Sequence, residues 1–208
     1  APNMDATIAP RIMSKRGTMW KGEYRYLQPS YAGTVDLHYL PKDKLVQRYR
    51  GSYSINHGQN LGHGFTGALN LNGASDDTYF SDLANGSSTI AQTNLLRQGT
   101  LSYGGGWWSA NLLAQSYQTL QDPSLPRVVE PYRRLPQLTV DANRYDLPYG
   151  LNFGFRGEHV SFRNPALVEG RRITLYPQLS LPLQTEVVSI TPKIGFHSSR
   201  YTLDRQAA

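Results

Sequence analysis

The chain has 208 residues, with 19 Gly, 13 Pro, 14 Tyr, 3 Trp and no Cys, and a formal net charge of +6. Without Cys, neither a disulfide scaffold nor a thiolate metal site is open to it. Hydrophobic residues at 39% and charged residues at 17% are both low for a soluble globular domain, while aromatics at 11% argue against disorder. No run of about 18 consecutive apolar residues supplies a transmembrane helix, and Ala1-Pro2-Asn3-Met4-Asp5 lacks the basic start and apolar stretch of a signal peptide. The basic residues form no block, so the charge excess reads as a solvated surface and no nucleic-acid partner is expected.

In chain order, the dominant period is two. A first run begins at Met4. In Thr18 to Leu27, Trp20, Gly22, Tyr24 and Tyr26 alternate with Met19, Lys21, Glu23 and Arg25. That is the pattern of a strand with one apolar and one polar face, since successive side chains point to opposite sides. Thr34 to Leu40 sets Val35, Leu37 and Tyr39 against Thr34, Asp36 and His38. Arg48 to Asn56 sets Tyr49, Gly51, Tyr53 and Ile55 against Arg48, Arg50, Ser52 and Ser54. Phe65 to Leu71, Gln137 to Asn143 and Val188 to His197 continue the alternation. Turn chemistry separates the runs at Lys15-Arg16-Gly17, Pro29-Ser30-Tyr31, Pro41-Lys42-Asp43, His57-Gly58-Gln59-Asn60 and Gly104-Gly105-Gly106. An apolar phase shift near Glu158 to Phe162 predicts a bulge or a strand leaving the membrane zone, and Pro10, Pro177 and Pro192 predict weakened ladders. No helix and no domain boundary is expected.

Together the runs give roughly eleven antiparallel strands of about ten residues, the length that crosses a bilayer. Short turns alternate with longer connections (Asn72 to Ser88, Gln118 to Arg134, Arg163 to Arg172), as in outer-membrane barrels. The fold class is therefore all-β, an antiparallel transmembrane β-barrel segment over residues 1–208, in preference to a soluble sandwich. Lys21, Glu23, Arg25, Asp36, His38, Arg48 and Arg50 are expected to face the lumen. Trp20, Tyr24, Tyr26, Val35, Leu37 and Tyr39 are expected to face lipid.

No catalytic, cofactor or metal site is predicted. The histidines His38, His57, His63, His159 and His197 lack the spacing of a helical zinc motif, although His57 and His63 flank a predicted turn. Asp76, Asp77 and Asp82 lack the alternating ligands and closing Glu of a calcium loop. Gly104-Gly105-Gly106 precedes no helix and is a turn, not a phosphate cradle. A barrel-wall lipid hydrolase would build on His38 or His159, but no Ser is singled out for it. A general porin-type channel fits the composition equally.

The opening A-P-N-M-D-A-T-I-A-P-R-I-M-S-K-R-G (Ala1 to Gly17) closely resembles the first barrel strands of the LptD family, the lipopolysaccharide-assembly or organic solvent tolerance proteins. The resemblance continues through G-E-Y-R-Y-L (Gly22 to Leu27), D-L-H-Y-L-P-K-D-K (Asp36 to Lys44) and D-D-T-Y-F-S-D-L (Asp76 to Leu83). It extends to L-P-Q-L-T-V-D-A (Leu135 to Ala142), R-I-T-L-Y-P-Q-L-S-L-P-L (Arg172 to Leu183) and I-T-P-K-I-G-F-H (Ile190 to His197). The resemblance implies a segment of a barrel of about 26 strands, with the periplasmic domain and the closing half of the barrel absent from this chain. It implies an outer-membrane location and release of lipopolysaccharide through a lateral opening between first and last strands. The implied partners are the plug lipoprotein LptE in the lumen, lipopolysaccharide, outer-membrane lipids and a periplasmic bridge protein. It further implies that Pro10, and with it Pro2, marks the lateral gate strand, although Pro10 read by itself is a strand-end or bulge proline and Pro2 a turn residue. The Gly17 turn and the Asp76 to Leu83 loop are expected outside the cell, and the fragment is expected to aggregate in isolation.

Overall fold

A computed structural model describes residues 2–83, 93–123 and 126–204. Ten long strands follow one another: β1 (Met4–Met13), β2 (Gly17–Leu27), β3 (Tyr31–Asp43), β4 (Arg48–Gly62), β5 (Phe65–Ala74), β6 (Asn94–Gly105), β7 (Trp108–Thr119), β8 (Arg133–Leu147), β9 (Leu151–Arg163) and β10 (Glu169–Ser180). Four short ones complete the set: β11 (Leu183–Gln184), β12 (Ser189–Ile190), β13 (Lys193–Gly195) and β14 (Ser198–Asp204). In the main sheet β1 to β10 pair in chain order and β10 carries both β13 and β14, while β11 and β12 pair with each other. The fold is all-β and antiparallel, as the period-two pattern requires.

The connections after odd-numbered strands cover 14–16, 44–47, 75–93, 120–132 and 164–168; those after β2, β4, β6 and β8 cover 28–30, 63–64, 106–107 and 148–150. In an antiparallel meander the connections alternate between the two ends of the strands; 75–93 and 120–132, both long, fall in the first set, while the 14–16 hairpin of that set is as short as 28–30 in the other. Of the expected long connection Asn72 to Ser88, residues 84–88 lie outside the described residues.

The chain packs as two compact units, residues 1–61, 67–99 and 115–131 in one, and 62–66, 100–114 and 132–208 in the other. In the first, β1 to β4 pair with Asp5 opposite Arg25, Lys21 opposite His38, Glu23 opposite Asp36, and His38 opposite Ser52. The three-residue β1–β2 hairpin closes with Arg16 N–H donating to the Met13 carbonyl, and Gly17 takes a positive φ of 110°. Gly17 pairs with Met13 in an unbroken register, and a side chain at this positive φ would be strained. A Cβ at Gly33 or Gly73 would meet the ring of Tyr26 or Tyr53. Each glycine thus makes room for an aromatic ring lying over the sheet.

In the second unit, β9 pairs with β8 and β10. The bulge expected at Glu158 to Phe162 is not found on β9, whose register with β10 is unbroken; the irregularity lies on β8, where Leu135 and Pro136 stand against Ser161 alone. Gln137 donates to Glu158 at 2.6 Å and Arg172 pairs with Glu158 at 2.6 Å, while Arg156 pairs with Asp141 at 2.7 Å. Opposite β10, β13 and β14 keep one register but break at Phe196 and His197. Phe196 N–H donates to the Pro177 carbonyl at 3.0 Å. Because a strand residue's N–H and C=O point to the same side, the N–H that Pro177 lacks would have answered this bond, and the ladder is interrupted there.

The sequence reading needs correction at four further places. Pro41-Lys42-Asp43 lies inside or at the end of β3, with the turn at 44–47, and His57-Gly58-Gln59-Asn60 lies inside β4, with the turn at 63–64. Pairing along Tyr31 to Gly33 supplies partners through His57 to Gln59, so the ladder overrides local turn preference. The run Val188 to His197 does not form one strand but parts of β12 and β13, with Pro192 between them. Finally, one short helix exists, α1 (Tyr79–Leu83).

Candidate functional site: a polar sheet face capped by a short helix

The register of β1 to β4 places Asp5, Arg11, Lys21, Glu23, Arg25, Asp36, His38, Arg50 and Ser52 on one face. Parity along β4 adds Arg48. The opposite face carries Ile8, Pro10, Trp20, Tyr24, Val35, Leu37, Tyr39 and Tyr53, with Trp20 opposite Tyr39 and Tyr24 opposite Val35.

Near the Met4 end of β1 the polar face is open. Arg25 reaches Asp5 with two hydrogen bonds, 2.9 and 2.5 Å, and lies 3.3 Å from Glu23. Asp5 and Arg25 border a cavity of about 750 Å³ that also takes in Thr34, Asn56, Asn70 and Gln98. Pro2 lies at its rim, outside β1. His57 does not face His63 across a hairpin: its Nδ1 lies 2.7 Å from the Tyr26 hydroxyl, and His63 is in the turn. Among the described residues no group of three or more His, Asp or Glu is placed to hold a metal ion.

At the other end the face is closed. Tyr79 and Leu83 of α1 pack on Met19 and Leu40, with Met13, Ala74 and Phe80 around them. Leu40 and Arg50 stand opposite each other in the β3–β4 ladder, and both are 0% exposed. Burying a guanidinium is tolerated only where its charge and donors are met. Arg50 Nε and Nη2 reach the two carboxylate oxygens of Asp76 at 2.9 and 2.6 Å, Nη1 reaches Asp82 at 2.6 Å and Asp43 at 3.4 Å, and Nη2 also donates to Thr78. Arg16 joins from the β1–β2 hairpin, 2.6 Å from Asp43 and 3.0 Å from Asp82. Arg11 donates to the Leu83 carbonyl at 2.6 Å, and the Tyr79 hydroxyl lies 3.3 Å from His38 Nδ1. The segment 75–83 is thereby fastened to β1, β3 and β4 by charge and by packing.

Burial alone would raise the Asp76 carboxyl, but hydrogen bonds from Arg50, Ser75 and Thr78 and the Arg50 charge outweigh it and hold it below the usual carboxylate value. Burial pushes the Tyr79 phenol up.

Of the residues predicted for the lumen, Lys21, Glu23, Arg25 and Asp36 share the uncapped part of the face, and His38 lies at its border with α1, against Tyr79. Arg48 is half exposed beside Asp76, 3.5 Å away, and Arg50 is sealed beneath α1. Sequence reasoning did not single out Asp43, Arg16 or Tyr79, and it weighed Asp76 and Asp82 only as calcium ligands. The only available signal was an acidic pair followed by a short aromatic segment, D-D-T-Y-F-S-D-L, in a connection otherwise read as loop.

The family model for LPS transport system D matches residues 48–208. The chain belongs to the LptD family. The LPS-assembly protein LptD of Azoarcus sp. strain BH72 is 50% identical over 212 aligned positions, covering 100% of this chain and 26% of that relative. The LPS-assembly proteins LptD of Nitrosomonas europaea and Nitrosococcus oceani are each 42% identical, over 100% and 98% of this chain and 29% and 28% of their own lengths. The chain thus spans about a quarter of the length of these LptD relatives, in keeping with the family resemblance read from its opening residues.

Proposed function

We propose that this chain is part of an outer-membrane barrel of about 26 strands that passes lipopolysaccharide into the outer leaflet, its polar face lining the lumen and its apolar face meeting lipid. Membership of the LptD family carries this reading. The strand lengths of ten to fifteen residues in β1 to β10 support it, as does the separation of long from tight connections. The activity is transport without a chemical step. The partners are LptE, seated in the lumen, lipopolysaccharide, and a periplasmic bridge protein that reaches the whole protein outside this chain. The long connections, with the Gly17 hairpin, lie outside the cell.

Pro10 has a specific place in this reading. Leu27 N–H donates to the Asn3 carbonyl, so Asn3, and by period two Asp5, Thr7, Ala9 and Arg11, exchange bonds with β2. Pro10, opposite Trp20, therefore aims its ring nitrogen away from β2. The β1–β2 ladder is intact, and the missing donor falls on the other edge of β1, where a lateral seam needs weak pairing.

The test uses the full-length parent protein with photo-crosslinkers at Lys21, Glu23 and Arg25, and at Val35 and Leu37. Crosslinks from the first set to LptE or lipopolysaccharide, and from the second to acyl chains, are expected. A protein that inserts and heat-shifts as a barrel but crosslinks to neither partner from the first set overturns the reading in favour of a general channel.

A further inference from the structure

We propose that the tips of the β1–β2 and β3–β4 hairpins form a basic collar that holds the phosphate of a membrane-lipid headgroup against the outside of the wall. The inference rests on the membrane placement above and goes beyond it, since it concerns the lipid-facing surface and not the lumen.

The two hairpin tips are neighbours: Lys44 N–H donates to the Arg16 carbonyl at 3.0 Å, and a Cβ at Gly17 would lie 3.2 Å from the Lys42 carbonyl. Six cations meet here, and they divide cleanly. Arg16, Arg48 and Arg50 are engaged by Asp43, Asp76 and Asp82. Lys15, Lys42 and Lys44 are exposed, and among the described residues none makes an ion pair. Asp77, exposed on the neighbouring connection, leaves three ammonium groups against one carboxylate.

What lies beside the lysines identifies the ligand. On the apolar face, the last rows before the tips hold Ile12, Trp20, Tyr39 and Tyr49, exposed by 81, 48, 54 and 65%. Amphipathic rings in such a row mark the level where hydrocarbon gives way to headgroups. The tip itself exposes apolar Leu45 and Val46 beside Lys44, so it meets the same boundary. Lysine stems lie along apolar surface while their ammonium groups reach outward, which puts three donors at the depth of lipid phosphates. A soluble phosphate would need no aromatic row beneath it. A lipid headgroup does.

The full-length parent carrying Tyr49→p-benzoylphenylalanine is reconstituted in phosphatidylcholine vesicles with equal traces of labelled phosphatidylglycerol or labelled phosphatidylcholine, then irradiated. The anionic lipid is expected to crosslink about fivefold more, the factor that one lysine near an anionic surface supplies. The excess is expected to fall to parity in the combined Lys15→Gln, Lys42→Gln, Lys44→Gln variant and in about 0.5 M salt, and to persist when the three are Arg. Equal yields in the native sequence, or an excess that survives the three Gln substitutions, overturn the collar. An excess abolished by inorganic phosphate at constant ionic strength replaces it with a soluble-phosphate site. Absence of any lipid adduct at position 49, with LptE crosslinking from Lys21 retained, overturns the collar's placement and leaves the lumen reading standing.

Discussion

Arg50 shows how far a charged residue in a barrel-like strand departs from a hydrated wall position. Its period-two phase was visible in the sequence, but its burial was not, because Asp76 and Asp82 lie 26 and 32 residues away and nothing local signals that they return. Arg50→Ala takes from Asp76 its two-point guanidinium contact and leaves it Arg48 at 3.5 Å, while Asp43 keeps Arg16, a loss of about 3 kcal/mol, at the low end for breaking a buried pair. Arg50→Lys is expected to recover only part of it, since an ammonium cannot span both Asp76 oxygens and reach Asp82. Denaturant unfolding of the refolded full-length protein in detergent checks both. Asp76 supplies a pH dependence. Its folded-state value is depressed, so its contribution is fully present above the ordinary carboxylate value of about 4 and is lost as pH falls through the lower folded value. Hydrogen exchange over residues 75–83 should stay slow from pH 7 to about 4 and quicken below. An identical acid step in Asp76→Asn would remove Asp76 as its source.

At the scale of elements, strand existence was legible and strand ends were not. β3 and β4 run through Pro41 and through His57-Gly58-Gln59, because a neighbouring strand offers those residues backbone partners that turn propensity cannot foresee. The described part of α1, Tyr79–Leu83, is too short for a helical period to register, and its amphipathic character emerges only when Met19 and Leu40 are seen beneath it. Its retention depends on that contact. Leu40→Ala removes side-chain volume from a fully buried site and should cost about 2–5 kcal/mol. Limited proteolysis should then cut within 75–83 faster, while the β1–β2 pairing, monitored by exchange of the Lys21 and Glu23 amides, stays protected. Gly33→Ala is a different case: its methyl group would meet the Tyr26 ring and lie 2.5 Å from the Asn56 carbonyl oxygen, so the ring must leave His57 and the β3–β4 backbone must shift as well. Loss of the Tyr26–His57 hydrogen bond, read from the His57 ring signals by NMR, is the expected outcome.

On the scale of the whole molecule, the meander and the asymmetry of its connections were legible because both follow from period and turn spacing. Opposite Pro177 the ladder breaks, so β13 and β14 count as two strands where one register runs through them. Pro10 and Pro177 are chemically alike yet differ in consequence: the register aims one at β14's neighbourhood and the other at the edge of β1 with no described partner. Pro10→Ala restores a donor on that edge without touching the β1–β2 bonds. If β1 borders the lateral seam, cysteine pairs across it should crosslink faster and lipopolysaccharide release should slow, with unfolding of the β1–β2 hairpin unchanged. Release at the native rate would remove Pro10 from the gate.

The same orientation matters before any barrel has closed. Along its outer edge β1 presents the N–H groups of Ala6, Ile8 and Ile12, a run that a stray strand from another copy of the chain would otherwise extend. A strand edge with one donor missing in mid-run is a poor template for such pairing, and prolines at edges protect natural sheets in this way. For a chain this rich in exposed apolar strand faces, Pro10 is therefore also a safeguard against self-association.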